Sequence, residues 1–488
     1  MRRAGCWIAA AAFALGGCDF APRYAAPSVA LPEKFKETPP GVSDIALEPV
    51  WWTSFNDRKL DALESQVDAA NPDLAAAIAA NDAAQARTAE AMSGLLPHLT
   101  AIGDISANKQ SENRPLRSST QPNYYGSNTL GGQVSYEVDL WGRVRDIAKQ
   151  ANLTAQASDD ALAQARLELH AELARDYVDL RGLDDEARLL ANTIGVYRSA
   201  LDLTKSRLSA QIASPVDVDR AQTQLSSAEA QASDLALRRA ALENAIAPLV
   251  GKAAAAFSIP HAQSRLPTPR LPRAVPADLL RRRPDIAEAE HMTAAASQGV
   301  GAATANFFPK VSLLALGGTQ DTGFRLFNAG NLFGTIGPSV ELPIFDAGLR
   351  EAELKVAKAE FTEAAERYRS VVLRAVKEVE DNLSSLKWLT KESAQVSTAA
   401  AAAQRAADLS TTLYRDGASS FLDVVTAQSA ALEAERAAIA LHTRDLEANI
   451  GLMLALGGGW APSPPVIPQI DLTPTPIQLI VNQAADRP

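Results

Sequence analysis

The sequence predicts an α+β membrane protein, in which a tandem repeat of long helices joins a few strands that form part of a shared barrel. Three observations predict it. Two halves of the 488-residue chain repeat one another at a nearly fixed offset. Each half switches from a helical to an alternating hydrophobic pattern and back. Three of the four strand candidates have about the length of a tilted membrane strand, and the one from Lys310 reads shorter.

The repeat comes first, because it sets every boundary. "NPDLAAAIAANDAAQARTAEAMSGLLPHLT" from Asn71 resembles "RPDIAEAEHMTAAASQGVGAATANFFPKVS" from Arg283. Pro72 pairs with Pro284 and Pro97 with Pro309, both 212 residues apart. Gly142 pairs with Gly348, Asp217 with Asp423 and Gln222 with Gln428, all 206 apart. The six-residue loss is confined between Pro309 and Gly348 of the second copy. The expected organisation is 1–17 signal peptide, 18–60 extended lead-in, 61–260 first repeat, 261–460 second repeat and 461–488 proline-rich tail.

The amino terminus has the layout of a bacterial secretion signal: Arg2 and Arg3, then an apolar run from Cys6 to Leu15, then small residues. The run is too short to span a bilayer, which needs roughly 20 apolar residues. "LGGC" resembles the lipobox of bacterial lipoproteins. That resemblance implies cleavage before Cys18, a diacylglycerol on its thiol and an acyl group on its amine. Several acyl chains anchor firmly where one does not. Cys6 and Cys18 are the only cysteines, so the mature chain is expected to hold no disulfide. Asp19 is awkward, since aspartate after a lipidated cysteine favours inner-membrane retention in some enteric bacteria.

Within the first repeat, residues 71–95 read as an alanine-rich helix, with Asn71 as cap and Pro72 in the first turn. Pro97 ends it. Strands are expected at about 98–107 and 130–140, with a polar loop between. A helix then runs from about 143 to 203, and a turn near 213–215 leads to another from 216 to about 248. The second repeat gives helix at 284–306, strands at about 310–316 and 335–344, and helices at 349–409 and 421–456. Alanine dominates the helix faces, which suits helices packed on two sides as a curved wall better than a leucine-seamed coiled coil.

Four strands leave an open sheet, and hydrocarbon tolerates no open edge. The smallest usual outer-membrane barrel has about 8 strands. Two copies would supply eight and three copies twelve, and spacing alone does not choose. Tyr136, Val138, Leu140 and Trp141 in one copy, and Val340, Leu342, Ile344 and Phe345 in the other, place apolar and aromatic residues at one rim. Gly131, Gly132, Gly317, Gly318 and Pro338 weaken the strands, and a soluble hairpin capping a helical bundle is the competing reading.

Composition excludes other classes. A formal charge of −10 argues against nucleic acid. His98, His170, His261, His291 and His442 are scattered without metal-ligand spacing. "LALGGGW" lacks the lysine of a phosphate loop and follows a helix, so it reads as a cap. No catalytic grouping appears, so an enzyme is not expected, and no cofactor beyond the lipid on Cys18.

Seven segments in order carry a resemblance: "CDFAPRY", "WWTSFNDRKLDALES", "LLRRRPDIAEAE", "FFPKVSL", "PIFDAGLREAEL", "YRDGASSFLDVVTAQSAALEAE" and "LALGGGW". Together they are similar to the TolC-like outer-membrane efflux proteins, in particular the lipoprotein branch of multidrug systems. The resemblance implies a homotrimer with a twelve-stranded barrel and a long periplasmic helical tunnel. It implies export of drugs or other small molecules, with a periplasmic adaptor and an inner-membrane pump of the resistance-nodulation-division type as partners. The family closes its periplasmic end with rings of polar residues. Asp423 matches an acidic position there, and Thr426 stands where other members carry the acid. Tyr414 matches a tyrosine that ties inner and outer helices. Asp217 is the repeat counterpart of Asp423, and either acid could simply cap its helix. Arg415, Asp416 and Gly417 in the turn are candidates for adaptor contact. Gly417 has Gln211 as its counterpart, so the two tips read as different. The alternative to a channel is a periplasmic scaffold lipoprotein with a coiled-coil body.

Overall fold

The computed structural model of the chain describes residues 20–37, 50–116, 118, 120–261, 265–269, 282–460 and 466. Cys18, Asp19, the signal segment and nearly all of the 461–488 tail lie outside the described residues.

After a short 3-10 turn at Trp51–Phe55 comes α1 (Arg58–Ala70), then α2 (Pro72–Ser93), β1 (His98–Lys109), β2 (Tyr124–Val138), α3 (Arg143–Ser209) and α4 (Pro215–Leu249). The second half holds α5 (Pro284–Ala305), β3 (Lys310–Asp321), β4 (Leu332–Glu341), α6 (Leu349–Arg415) and α7 (Phe421–Ala455). The copies match in length: α2 and α5 have 22 residues each, α3 and α6 have 67, and α4 and α7 have 35. At 1.5 Å per residue α3 and α6 are about 100 Å long.

The helices stand side by side as one wall. Towards the strands the order is α2, α3, α5, α6. Towards the far end α4 and α7 take the places of α2 and α5. The long α3 and α6 therefore run the whole height. Where the sets exchange, each returning helix is tied to the start of the helix above it. Asn71 accepts from Leu74 N (2.8 Å) and donates to Leu249 O (2.9 Å). In the second copy Arg283 donates to Ala455 O (3.0 Å). Different side chains thus satisfy equivalent carbonyls at a helix C-terminus. Gly251 (φ +68°) and Gly457 (φ +86°) follow, and both are needed as glycine. A Cβ would fall 2.2 Å from Ala70 O and 1.7 Å from Arg282 O respectively.

The strands form one antiparallel sheet in the order β1-β2-β3-β4. The register runs from Asn128 opposite Asp321 to Val138 opposite Val311 at the repeat junction. Several boundaries correct the sequence reading. β1 continues to Lys109 and β2 starts at Tyr124, because backbone pairing extends through the polar "YYGSN" stretch. β2 stops at Val138, so Leu140 and Trp141 lie beyond it. β3 continues to Asp321, with Gly317 and Gly318 paired to Gly132 and Gly131. β4 covers Leu332–Glu341 and stops before Pro343, which has no N–H for the ladder. At 10 to 15 residues all four strands have spanning length. Leu99, Ile105, Ile336 and Val340 are exposed apolar residues on them. Helices α3 and α6 each run six residues past the ends expected from sequence.

A belt of irregular chain covers one face of the wall. Trp51, Trp52 and Phe55 join Leu60, Leu63 and Val67 of α1 against Leu173, Tyr177 and Leu180 of α3. The α1 helix is an addition to the sequence reading. Asp57 caps it through Lys59 N (2.7 Å). Tyr177 Oη donates to Asp57 (2.9 Å) and accepts from Arg181 (2.6 Å), which also donates to Pro260 O (2.8 Å). Residues 20–37 form a second strap. Phe20 stacks on Phe308 (4.6 Å), Tyr24 Oη donates to Glu290 O (3.2 Å), and Phe35 is buried against α6.

Candidate gate and tunnel end

The end of the wall farthest from the sheet consists of two helical hairpin tips, α3–α4 and α6–α7. The sequence reading separates them, since Gln211 stands where Gly417 stands. The backbone does not. Gln211 has φ +58° and Gly417 φ +80°. Ile212 N reaches back to Arg207 O (2.8 Å), and Ala418 N to Leu413 O (2.8 Å). Both are left-handed helix endings, and Gln211 adopts one without glycine's freedom.

Each returning helix then starts with the same capping box. Ser214 N donates to Asp217 Oδ2 (3.2 Å), and Val216 N to Ser214 Oγ (3.2 Å). Ser420 N donates to Asp423 Oδ2 (3.1 Å), and Asp423 N to Ser420 Oγ (3.3 Å). Asp217 and Asp423 are therefore both cap residues at the third helical position. Asp217 is half-buried and lies 3.6 Å from Arg220. Asp423 and Thr426 are exposed, and Thr426 donates to Leu422 O (2.9 Å). Arg415, Asp416 and Gly417 are exposed in the turn.

Tyr414 is buried, 5.2 Å from the Phe421 ring. Sequence reasoning missed what holds it. Arg207, from the first tip, lies over the Tyr414 ring at 4.6 Å. Its Nη1 donates to Tyr414 O (2.5 Å) and Arg415 O (3.3 Å), the last carbonyls of α6. A cation at a helix C-terminus complements the dipole there. Its repeat counterpart is Leu413, so the clasp exists in one direction only. No spacing rule marks Arg207; only the folded contact does. Tyr197 links the hairpins further up, bonded to Gln224 of α4 and Ser429 of α7.

Three of the histidines pair with carboxylates. His170 bonds Glu64 (2.7 Å) and stacks on Trp52 (4.4 Å), and His261 bonds Asp184 (2.7 Å). His291 pairs with Asp160. Among the described residues no cluster of metal-ligating side chains occurs.

A wall of long paired helices, topped by a spanning sheet with two open edges, defines a channel-forming outer-membrane protein. The outer membrane efflux protein family matches at residues 63–252 and 275–458, one match per repeat, and the chain belongs to that family. It is 31% identical over 461 residues to the antibiotic efflux pump outer membrane protein ArpC of Pseudomonas putida, covering 93% of this chain and 95% of that one. It is 28% identical to the cation efflux system protein CusC of Escherichia coli O6:H1, covering 92% and 97%. Among solved structures the outer-membrane channel OprN superposes with a TM-score of 0.85 at 28% identity, over 91% of this chain and all of that one. The protein is an outer-membrane component of an efflux system.

Proposed function

We propose that three copies close into a passive exit duct for small molecules, joined through a periplasmic adaptor to an inner-membrane pump of the resistance-nodulation-division type. One observation carries this reading: the wall has two unlike open edges. One edge is β1 above α2 and α4, and the other is β4 above α6. Backbone groups in hydrocarbon need partners, so β1 of one copy must meet β4 of the next. Unlike edges meeting head to tail generate a ring. Three copies bring twelve strands, as the family resemblance implies. Exposed Leu373, Trp388 and Leu409 on α6, and Val216 and Leu237 on α4, supply apolar surface along the two edges.

In this reading Asp423, Thr426, Tyr414 and Asp217 form the periplasmic gate, and Arg415, Asp416 and Gly417 meet the adaptor. No catalytic step is involved. Cys18 carries the lipid. Phe20, two residues after it in sequence, stacks on Phe308 at the base of the sheet. The substrates named for relatives range from antibiotics to cations and pyoverdine, which supports a reading in which substrate choice lies outside the duct.

The test is single-channel conductance of the purified oligomer in a planar bilayer. The reading expects a pore, and Asp423→Ala alters its cation block or resting conductance. A soluble monomer without conductance overturns the duct, and unchanged behaviour of Asp423→Ala removes that residue from the gate.

A further inference from the structure

The belt marks one face of the wall, and the opposite face has its own chemistry. On α3, Tyr177 and Arg181 turn towards the belt. Half a turn around the same helix, Arg175, Asp179 and Glu186 line grooves on the other side, with Arg444 and Glu447 of α7. These grooves have volumes of about 590 and 580 Å³. When three walls close, this face is the tunnel lumen, because a belt on the inside would fill the tunnel. That step rests on the duct reading above.

At this level α3 and α7 approach closely. A Cβ on Gly182 would lie 2.4 Å from Thr443 Oγ1. One turn along, the carboxyls of Asp179 and Glu447 meet across the same crossing, where both line one groove with Gly182 and Thr443. Two ionised carboxylates offer no donor, so the contact needs one proton.

We propose that Asp179 and Glu447 share one proton in the tunnel lining, and that its loss switches the lumen at the level of the belt towards cation selectivity. Each copy gains one negative charge as the proton leaves, and a ring of like charges in a pore selects for counter-ions. Burial, and next the hydrogen bond to Asp179, push the Glu447 carboxyl up to about 7. Burial, then Glu172 and Asp179, push Asp176 up to about 6.

Charges from every packed helix face the pair. Glu172, Arg175 and Asp176 come from α3, and Arg444 from α7. Arg238 comes from α4 and Glu392 from α6, the latter 3.7 Å from Arg444. Arg175 and Arg444 pull Glu447 down, less than burial and Asp179 push it up. Glu186 is engaged by Arg436 (2.5 Å). The sign follows. A carboxyl raised in this way is protonated below its shifted value, so the lumen gains negative charge as pH rises through about 7.

The experiment measures the reversal potential of the full-length oligomer in a planar bilayer under a potassium chloride gradient, from about pH 5.5 to 8.5. The expected result is a step towards potassium selectivity centred near neutrality. Glu447→Gln and Asp179→Asn each flatten the step while conductance remains. Asp68→Asn, on the belt face, keeps it. A flat profile in the wild type, or an undiminished step in both lumenal variants, overturns the proposal. Absence of any conductance overturns the duct reading instead.

Discussion

Gly318 faces Gly131 across β2 and β3, and the backbones there are too close for a side chain. A Cβ on Gly318 would stand 2.3 Å from Leu130 O and 2.5 Å from Gly131 Cα. Relief requires a shift of about 1 Å in a paired strand, and overpacking of that kind costs about 1–3 kcal/mol per chain. In the proposed three-copy barrel the same clash recurs once in each copy, so the oligomer loses about three times that, if the sites act independently. Its neighbour is the control. A Cβ on Gly317 meets nothing nearer than Phe333 O at 3.8 Å, an ordinary contact. Gly318→Ala should therefore lower the temperature at which the oligomer dissociates on unheated-to-heated gel series, and reduce the amount in the outer membrane. Gly317→Ala should behave as wild type. Equal heat resistance of the two variants would refute the close-approach argument.

Three other outcomes are expected. Gln211→Gly relieves a left-handed residue at an exposed tip and stabilises by about 1 kcal/mol, read as slower thermal unfolding in detergent. Arg207→Ala removes the clasp on the last carbonyls of α6. It should raise resting conductance through the tip, with Arg207→Lys restoring less than half of the lost hold because a point cation stacks poorly. Cys18→Ser should abolish palmitate labelling in cells; persistent labelling would place the lipid elsewhere.

The long helices were legible because alanine-rich runs with few breakers repeat at fixed offsets, and the observed helices follow the same 206- and 212-residue spacings. The strands were legible as elements but not as lengths. Polar residues from Tyr124 to Thr129 look like loop, yet ladder pairing involves the backbone and is indifferent to side-chain polarity. Glycines at 317 and 318 look like strand breakers, yet both pair in the ladder, and at Gly318 close approach is what the glycine permits. The α1 helix carried readable signals, Asp57 as cap and Leu60, Leu63 and Val67 at helical spacing. At the tip, Asp217 and Asp423 were visible as candidates, and their shared capping geometry was foreseeable from Ser214 and Ser420. Arg207 was not, because its partners are carbonyls 207 and 208 residues away. Gln211 misled for a related reason: a type of residue predicts backbone conformation only where strain is not outweighed by the surrounding packing.

The unlike edges of the wall also have a genetic consequence. In a head-to-tail ring every copy contributes to two seams, so a defect at either edge of a single copy spoils one junction and with it the closure of the whole ring. With three copies to a ring, as proposed above, a cell making equal amounts of sound and seam-defective chains would assemble only roughly one-eighth of its rings from sound chains alone. Alleles altering β1, β4 or the open flank of α6 should therefore be dominant, whereas alleles confined to the belt should be recessive.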